Sequence, residues 1–331
     1  MLVAGSHPAP TSMEDLLGRD LIARLDRLDV VSRRVFAGKL PGERRSKRRG
    51  RSIEFDDHRP YTAGDDPRHL DWNLLARLDR LVIKLFREDE DLALVLLIDA
   101  SPSMHAGAPG EITKLTAACR LAMALGYVGL VNNNRVSAAV FDTQAAGSPV
   151  LRRLPAMRGR RHIARLAQFV LDAAATPLAP PGVDPTPMSD ATRALARTSS
   201  GAGVLIVLSD FLSEPDYAPA LNYAVGPTAA GPAFDVHAMQ VVDPGELDPA
   251  VHAERGLSGD LRLIDAETGR AREVSISPAL LRRYRQRLDA HQAKLARDCA
   301  ARGIGRTLCT TGDDPTQIIL SDLTASGVLG A

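Results

Sequence analysis

The sequence predicts an α/β fold built on a mostly parallel sheet with helices on both faces, and three observations predict it. Two continuous apolar runs, Leu92 to Ile98 bounded by charges and Val204 to Leu208 ending in Ser209-Asp210, read as strands buried on both faces. Stretches of helical apolar spacing lie between such runs, notably Thr113 to Val131, with Leu115, Ala118, Leu121, Ala122, Leu125 and Val128 on one side. Strand and helix patterns then alternate to the end of the chain, and parallel neighbours need such crossover helices.

Taken in order, residues Met13 to Arg34 read as an amphipathic helix through Leu16, Leu17, Leu21, Leu25 and Leu28. Gly38 to Gly50, with the basic run that continues to Arg51, reads as an exposed loop. A short strand is predicted at Ser52 to Phe55, a turn-rich stretch at His58 to Pro67, and a strand at Leu81 to Phe86. The acidic turn Arg87 to Asp91 leads into the first central strand. Strands at Val136 to Phe141 and Val150 to Leu154 are followed by a helix at Ile163 to Ala174. The proline-rich stretch Thr176 to Pro187 reads as a flexible loop. A helix at Tyr217 to Val225 precedes a strand at Phe234 to Val241, and Asp260 to Ile264 pairs with Arg272 to Ile276 as a hairpin. A helix at Pro278 to Ala301, a strand at Arg306 to Cys309 and a helix at Pro315 to Leu323 complete the pattern. The predicted division is an N-terminal accessory segment over 1–90 and an α/β domain over 91–331, with the hairpin inserted at about 245–277.

Composition narrows the function classes. With 331 residues, 45% of them hydrophobic, the chain can bury a large core. Its 41 Lys and Arg nearly cancel its 40 Asp and Glu, so whole-molecule charge gives no reason to expect a polyanion or membrane surface as partner. Aromatic residues, at 4%, are too few for base-stacking platforms. Cys119, Cys299 and Cys309 are far apart in apolar segments, which suits reduced core thiols rather than disulfides or a zinc site. With no apolar run near the ~18–20 residues of a bilayer span and no signal-like start, the expected location is cytoplasmic.

The residues most suggestive of chemistry are Asp99, Ser101 and Ser103, in the form Asp-x-Ser-x-Ser at the end of the first central strand. Asp210 ends a second central strand. In open α/β sheets, ligands bind beyond the carboxyl ends of strands. Oxygen donors of this kind suit a hard cation, Mg²⁺ in particular. The blander alternative, a strand-end turn whose short side chains cap the next helix, explains one of the four better than all of them.

These residues also carry a resemblance. The pattern of Asp99, Ser101, Ser103 and Asp210 resembles the metal-ion-dependent adhesion site of von Willebrand factor A domains. The segments Gly50 to Phe55, Arg59-Pro60-Tyr61, Gly64-Asp65-Asp66, Asp71-Trp72-Asn73 and Lys84-Leu85-Phe86, ahead of that motif, resemble the bacterial "domain of unknown function fifty-eight" family. The resemblance covers the chain from about Leu28 onward. It implies a von Willebrand A-like, Rossmann-like domain without enzymatic activity. It also implies association with a MoxR-type AAA+ ATPase in assembling or maturing other proteins. Ser101 and Ser103 would be inner metal ligands, Asp99 and Asp210 outer ones, and a carboxylate of the partner would complete the shell.

The sequence departs from that pattern where the family has a threonine. Gly159-Arg160-Arg161-His162 aligns there, which puts Arg161 at the threonine position. A guanidinium cannot ligate a cation, so Arg161 would instead neutralise the two aspartates. The run Arg44 to Arg51 lacks interleaved aromatics and a DNA-binding motif, so no nucleic acid partner is expected. Trp72 is read as a structural anchor. His58, His69 and His105 form no recognisable catalytic set, and no nucleotide-binding loop is present. The expected function is therefore a non-enzymatic protein-binding module. The alternatives are a metal-assisted phosphoester hydrolase using the same oxygens, and a scaffold with a degenerate metal site.

Overall fold

The computed structural model describes residues 9–31, 55–62, 65, 67–86, 92–107, 111–142, 151–178, 186–198, 203–212, 217–227, 234–248, 260–264, 271–275 and 277–330. The basic run Arg44 to Arg51 and the acidic turn Arg87 to Asp91 lie outside them. The chain divides into two units, residues 34–91 and the remainder.

The larger unit begins with α1 (Met13–Leu17) and α2 (Arg19–Leu25), where one helix is predicted. Gly18 breaks it, because its φ of 70° lies in the left-handed region that glycine tolerates. Ser12 and Asp15 start α1 with a reciprocal capping box, and Leu16, Leu17, Leu21 and Leu25 are buried. β1 (Asp29–Val30) follows.

The smaller unit pairs β2 (Phe55–Pro60) antiparallel with β3 (Val82–Phe86). His58 to Pro60, predicted as turn, are drawn into the strand by pairing with Val82 to Lys84. Pro60 is tolerated at the strand's last position. Between them lies α3 (Trp72–Leu78), capped by Asp71, whose Oδ1 accepts from the Asn73 and Leu74 N–H groups at 2.9 and 3.1 Å. Trp72, expected as an anchor, is 63% exposed.

The main sheet of the larger unit has six strands among the described residues. They are β4 (Ala93–Asp99), β5 (Arg135–Phe141), β6 (Arg152–Met157), β7 (Gly203–Ser209), β8 (Asp235–Val242) and, after the hairpin of β9 (Asp260–Ile264) and β10 (Ala271–Ser275), β11 (Gly305–Thr310). Their spatial order is β11-β8-β7-β4-β5-β6, parallel throughout except for β6, which runs antiparallel to β5. The connecting helices are α4 (Lys114–Val131), α5 (Ile163–Ala174), α6 (Met188–Thr198), α7 (Ala218–Val225), α8 (Pro244–Leu247) and α9 (Pro278–Ala300). This is a mixed α/β, Rossmann-like arrangement.

The continuous apolar run of β4 reflects cover on both faces. Leu94, Leu96 and Ile98 face a core with α1, α2, α4 and α5. Val95 and Leu97 face a second core with α6, α7 and α9. Each such side chain contributes about 1.5–3 kcal/mol when fully buried. By length and composition α4 could cross a bilayer, but its apolar residues are buried within this core. It lies close to the sheet at Gly129, where a Cβ would come within 2.7 Å of Val136 Cγ2. No element was predicted for α6, although Met188, Ala191, Thr192 and Leu195 are buried at helical spacing.

The predicted C-terminal helix is instead interrupted. α10 (Pro315–Gln317) passes through a π-helical turn at Ile318–Asp322 into α11 (Leu323–Ala325). β12 (Leu329–Gly330) then pairs antiparallel with β1. The three cysteines are free and buried, as predicted.

Candidate functional site at the carboxyl edge of the sheet

β4 and β7 are parallel neighbours with Ile98 beside Leu208, so Asp99 and Ser209-Asp210 emerge at the same edge. Asp99 is fully buried. Its Oδ1 accepts from the Ser101 N–H at 2.9 Å, and its Oδ2 accepts from the Ser209 hydroxyl at 2.5 Å. Ser209 Oγ in turn accepts from the Phe211 N–H at 3.0 Å, which supports that residue's φ of 56°. Burial, followed by the charge of Asp210, pushes the Asp99 carboxyl up to about 6. The Ser101 and Ser103 hydroxyls lie 3.2 Å apart. Ser101 is buried, whereas Ser103 is half-buried and also hydrogen-bonds Asp210. All four residues singled out in the sequence therefore meet at one edge.

A fifth residue, not singled out, joins them. Lys114 opens α4 and is 0% exposed. Its ammonium donates to Asp210 Oδ2 at 2.8 Å and to Glu246 Oε1 at 2.6 Å. Burial works against the charged ammonium, but the two carboxylates raise its pKa above the ordinary lysine range. Burial likewise works against the Asp210 carboxylate, and the Lys114 charge holds its pKa below the usual range. Glu246 sits in α8, where its Oε2 accepts from the Asp243 N–H at 3.0 Å in a second capping box. The Asp243-Pro244-Gly245-Glu246 spelling signals that cap in sequence, but nothing in the sequence announces its long-range partner.

Arg161 requires a correction. Because β6 is antiparallel, its end at Met157 lies beside Val136, at the start of β5, whereas Asp99 lies beside Phe141 at the end of β5. The turn that carries Arg161 thus leaves from the opposite edge. There its neighbour Arg160 pairs with Asp26 at 3.1 Å, and Arg161 is exposed, with Nε donating to His162 Nε2 at 3.1 Å. Arg161 does not neutralise Asp99 or Asp210. Thr186, buried ahead of α6, donates its N–H to the Asp142 carbonyl at 3.1 Å, just past the end of β5.

The donor set can be tested against a divalent cation. Both oxygens of Asp99 are engaged. Asp210 Oδ1 accepts from the Leu212 N–H at 3.0 Å, and its Oδ2 takes the Lys114 ammonium. Both oxygens of Glu246 are engaged as well. The Ser101 and Ser103 hydroxyls, which lie within hydrogen-bond reach of each other and of which Ser103 also bonds Asp210, are neutral donors. Among the described residues no group of three or more His, Cys, Asp or Glu is arranged to hold a metal ion. As placed, these residues do not fit a resident Mg²⁺, which is usually bound through one or two carboxylates.

Comparison with known proteins places this edge in a family. Residues 57–294 match the family described as "Protein of unknown function DUF58". The chain belongs to the DUF58 family. Among its relatives are the uncharacterized proteins Rv1480 of Mycobacterium tuberculosis and Mb1516 of Mycobacterium bovis. Each is 29% identical over 309 residues, 93% of this chain and 90% of the relative. The uncharacterized protein MAV169 of Mycobacterium avium is 31% identical over 163 residues, 49% of this chain and 85% of its own length. The DUF58 match spans both units and includes Asp99, Ser101, Ser103, Lys114, Asp210 and Glu246.

Proposed function

We propose that this edge is a protein-docking surface on a von Willebrand A-like domain. Its partner is a MoxR-type AAA+ ATPase, with which it acts in assembling or maturing a client protein. The observation that carries this reading is the convergence of Asp99, Ser101, Ser103 and Asp210 from two strand ends, with half-buried Ser103 outermost. A sheet of this order with a single antiparallel edge strand agrees with the fold that the resemblance implies.

The chemistry favours binding over catalysis. Asp99 and Asp210 are fully buried with both oxygens of each engaged, and Lys114 is kept protonated, so none of the three meets a substrate as a base. A partner carboxylate would meet the Ser103 hydroxyl, and α9, which is tied to this edge through Tyr284, carries exposed arginines that add to the attraction. Arg282, Arg283 and Arg287 there are exposed, and Tyr284 OH ties the helix to this edge by donating to the Glu246 carbonyl at 2.7 Å.

The test is capture of a purified MoxR-type ATPase by the wild-type chain, by Ser103→Arg and by Arg283→Glu/Arg287→Glu, with folding checked by circular dichroism. Reduced capture by folded variants is expected. Equal capture by all three proteins would remove this edge as the docking surface.

A further inference from the structure

We propose that Lys114 is the resident cation of this edge. Its ammonium supplies the charge that a divalent metal would otherwise bring to Asp210, and the edge is built and held without metal.

The position of Lys114 argues that its charge is placed rather than incidental. A lysine at the first position of an 18-residue helix opposes the helix dipole, which favours anions there. Complete burial adds a desolvation cost. Both costs are offset only by the two carboxylates that converge on the ammonium, Asp210 at the end of β7 and Glu246 in α8. A free aliphatic side chain would fill the same space without either penalty.

The geometry also leaves a metal little to hold. To take Asp210 Oδ2, a divalent ion would have to displace the Lys114 ammonium or sit beside it. Displacement would strand a buried positive charge, and coexistence would place like charges together in a poorly screened interior. The hydroxyls of Ser101 and Ser103 carry no formal charge to compensate. The Glu246 half of the clamp adds a structural link, because its own capping bonds fix α8 at the end of β8. Lys114 thereby joins the start of α4, the end of β7 and the α8 turn through one ammonium.

This proposal deepens the docking reading of the same edge, but its test uses the full-length chain alone, so the two can fail separately. Mn²⁺ binding is followed by calorimetry, and thermal unfolding is followed with Mg²⁺ or with a chelator, for wild type, Lys114→Met and Lys114→Met/Asp210→Asn. Wild type is expected to bind no Mn²⁺ at millimolar concentration and to melt at the same temperature in both conditions. Lys114→Met is expected to bind Mn²⁺ at least about tenfold more tightly than wild type, and the double variant to lose that gain. Metal-dependent melting of wild type that Ser103→Ala abolishes would overturn the proposal. So would a folded Lys114→Met that gains no binding. Should Lys114→Met fail to fold, the wild-type arm decides alone.

Discussion

The Ser209 hydroxyl meets the Asp99 carboxylate at 2.5 Å where two parallel strands end side by side, joining residues 110 positions apart. A donor to a fully buried carboxylate has no water to replace it. Ser209→Ala is therefore expected to lower stability by about 1–3 kcal/mol, seen as a lower urea midpoint with an unchanged slope. A midpoint equal to wild type would mean that the bond contributes nothing to folding.

The same carboxyl gives the edge a pH signature. Its folded pKa of about 6 lies above the ordinary 3.8, so between these values the folded state holds a proton that the unfolded state has released. Asp99's contribution to stability therefore falls as pH rises through that window, by up to about 3 kcal/mol. Unfolding free energies measured across the window should show this slope in wild type and lose it in Asp99→Asn. Parallel profiles would assign the slope to another group.

Removing the ammonium alone should cost more than removing the whole cluster. Lys114→Met leaves Asp210 and Glu246 without their cation, a change expected to cost about 3–5 kcal/mol. The triple variant Lys114→Met/Asp210→Leu/Glu246→Gln should recover part of that loss, as read from chemical denaturation. A triple variant weaker than the single would show that the ion pair contributes more than its burial costs.

Arg161→Thr should be nearly silent. The side chain is exposed at the opposite edge of the sheet, so stability is expected to stay within about 0.5 kcal/mol of wild type. Mn²⁺ binding should not appear. A gain of binding on this substitution would place the arginine at the docking edge after all.

Much of the fold was legible because the central strands are buried on both faces and spell themselves as unbroken apolar runs. β4 and β7 are the clearest cases, and the helices between strands follow from their apolar spacing. Asp99, Ser101, Ser103 and Asp210 were legible for the same reason, since each lies at or just beyond the end of such a run. What could not be read was direction. A short, partly exposed strand such as β6 does not reveal in sequence that it runs antiparallel, and that reversal carries Arg161 away from the site. α6 was hidden behind the proline-rich stretch, with a polar Thr192 among its buried positions. Lys114 was hidden because a lysine at the head of an apolar helix looks like a solvated end. Only the meeting with Asp210 and Glu246, 96 and 132 positions later, shows its role.

The pairing of β1 with β12 sets an order of events during synthesis. Asp29 and Val30 emerge from the ribosome early, yet their strand partners are Gly330 and Leu329, so this contact spans almost the whole chain. Contacts of such high sequence separation pay their loop-closure cost before they gain anything. The N-terminal helices can settle on α4 while translation continues, but β1 must wait for residues 329–330. This clasp therefore closes only once residues 329–330 have been made, and a ribosome stalled before that point holds β1 still without its mate, beside a central sheet that does not depend on it.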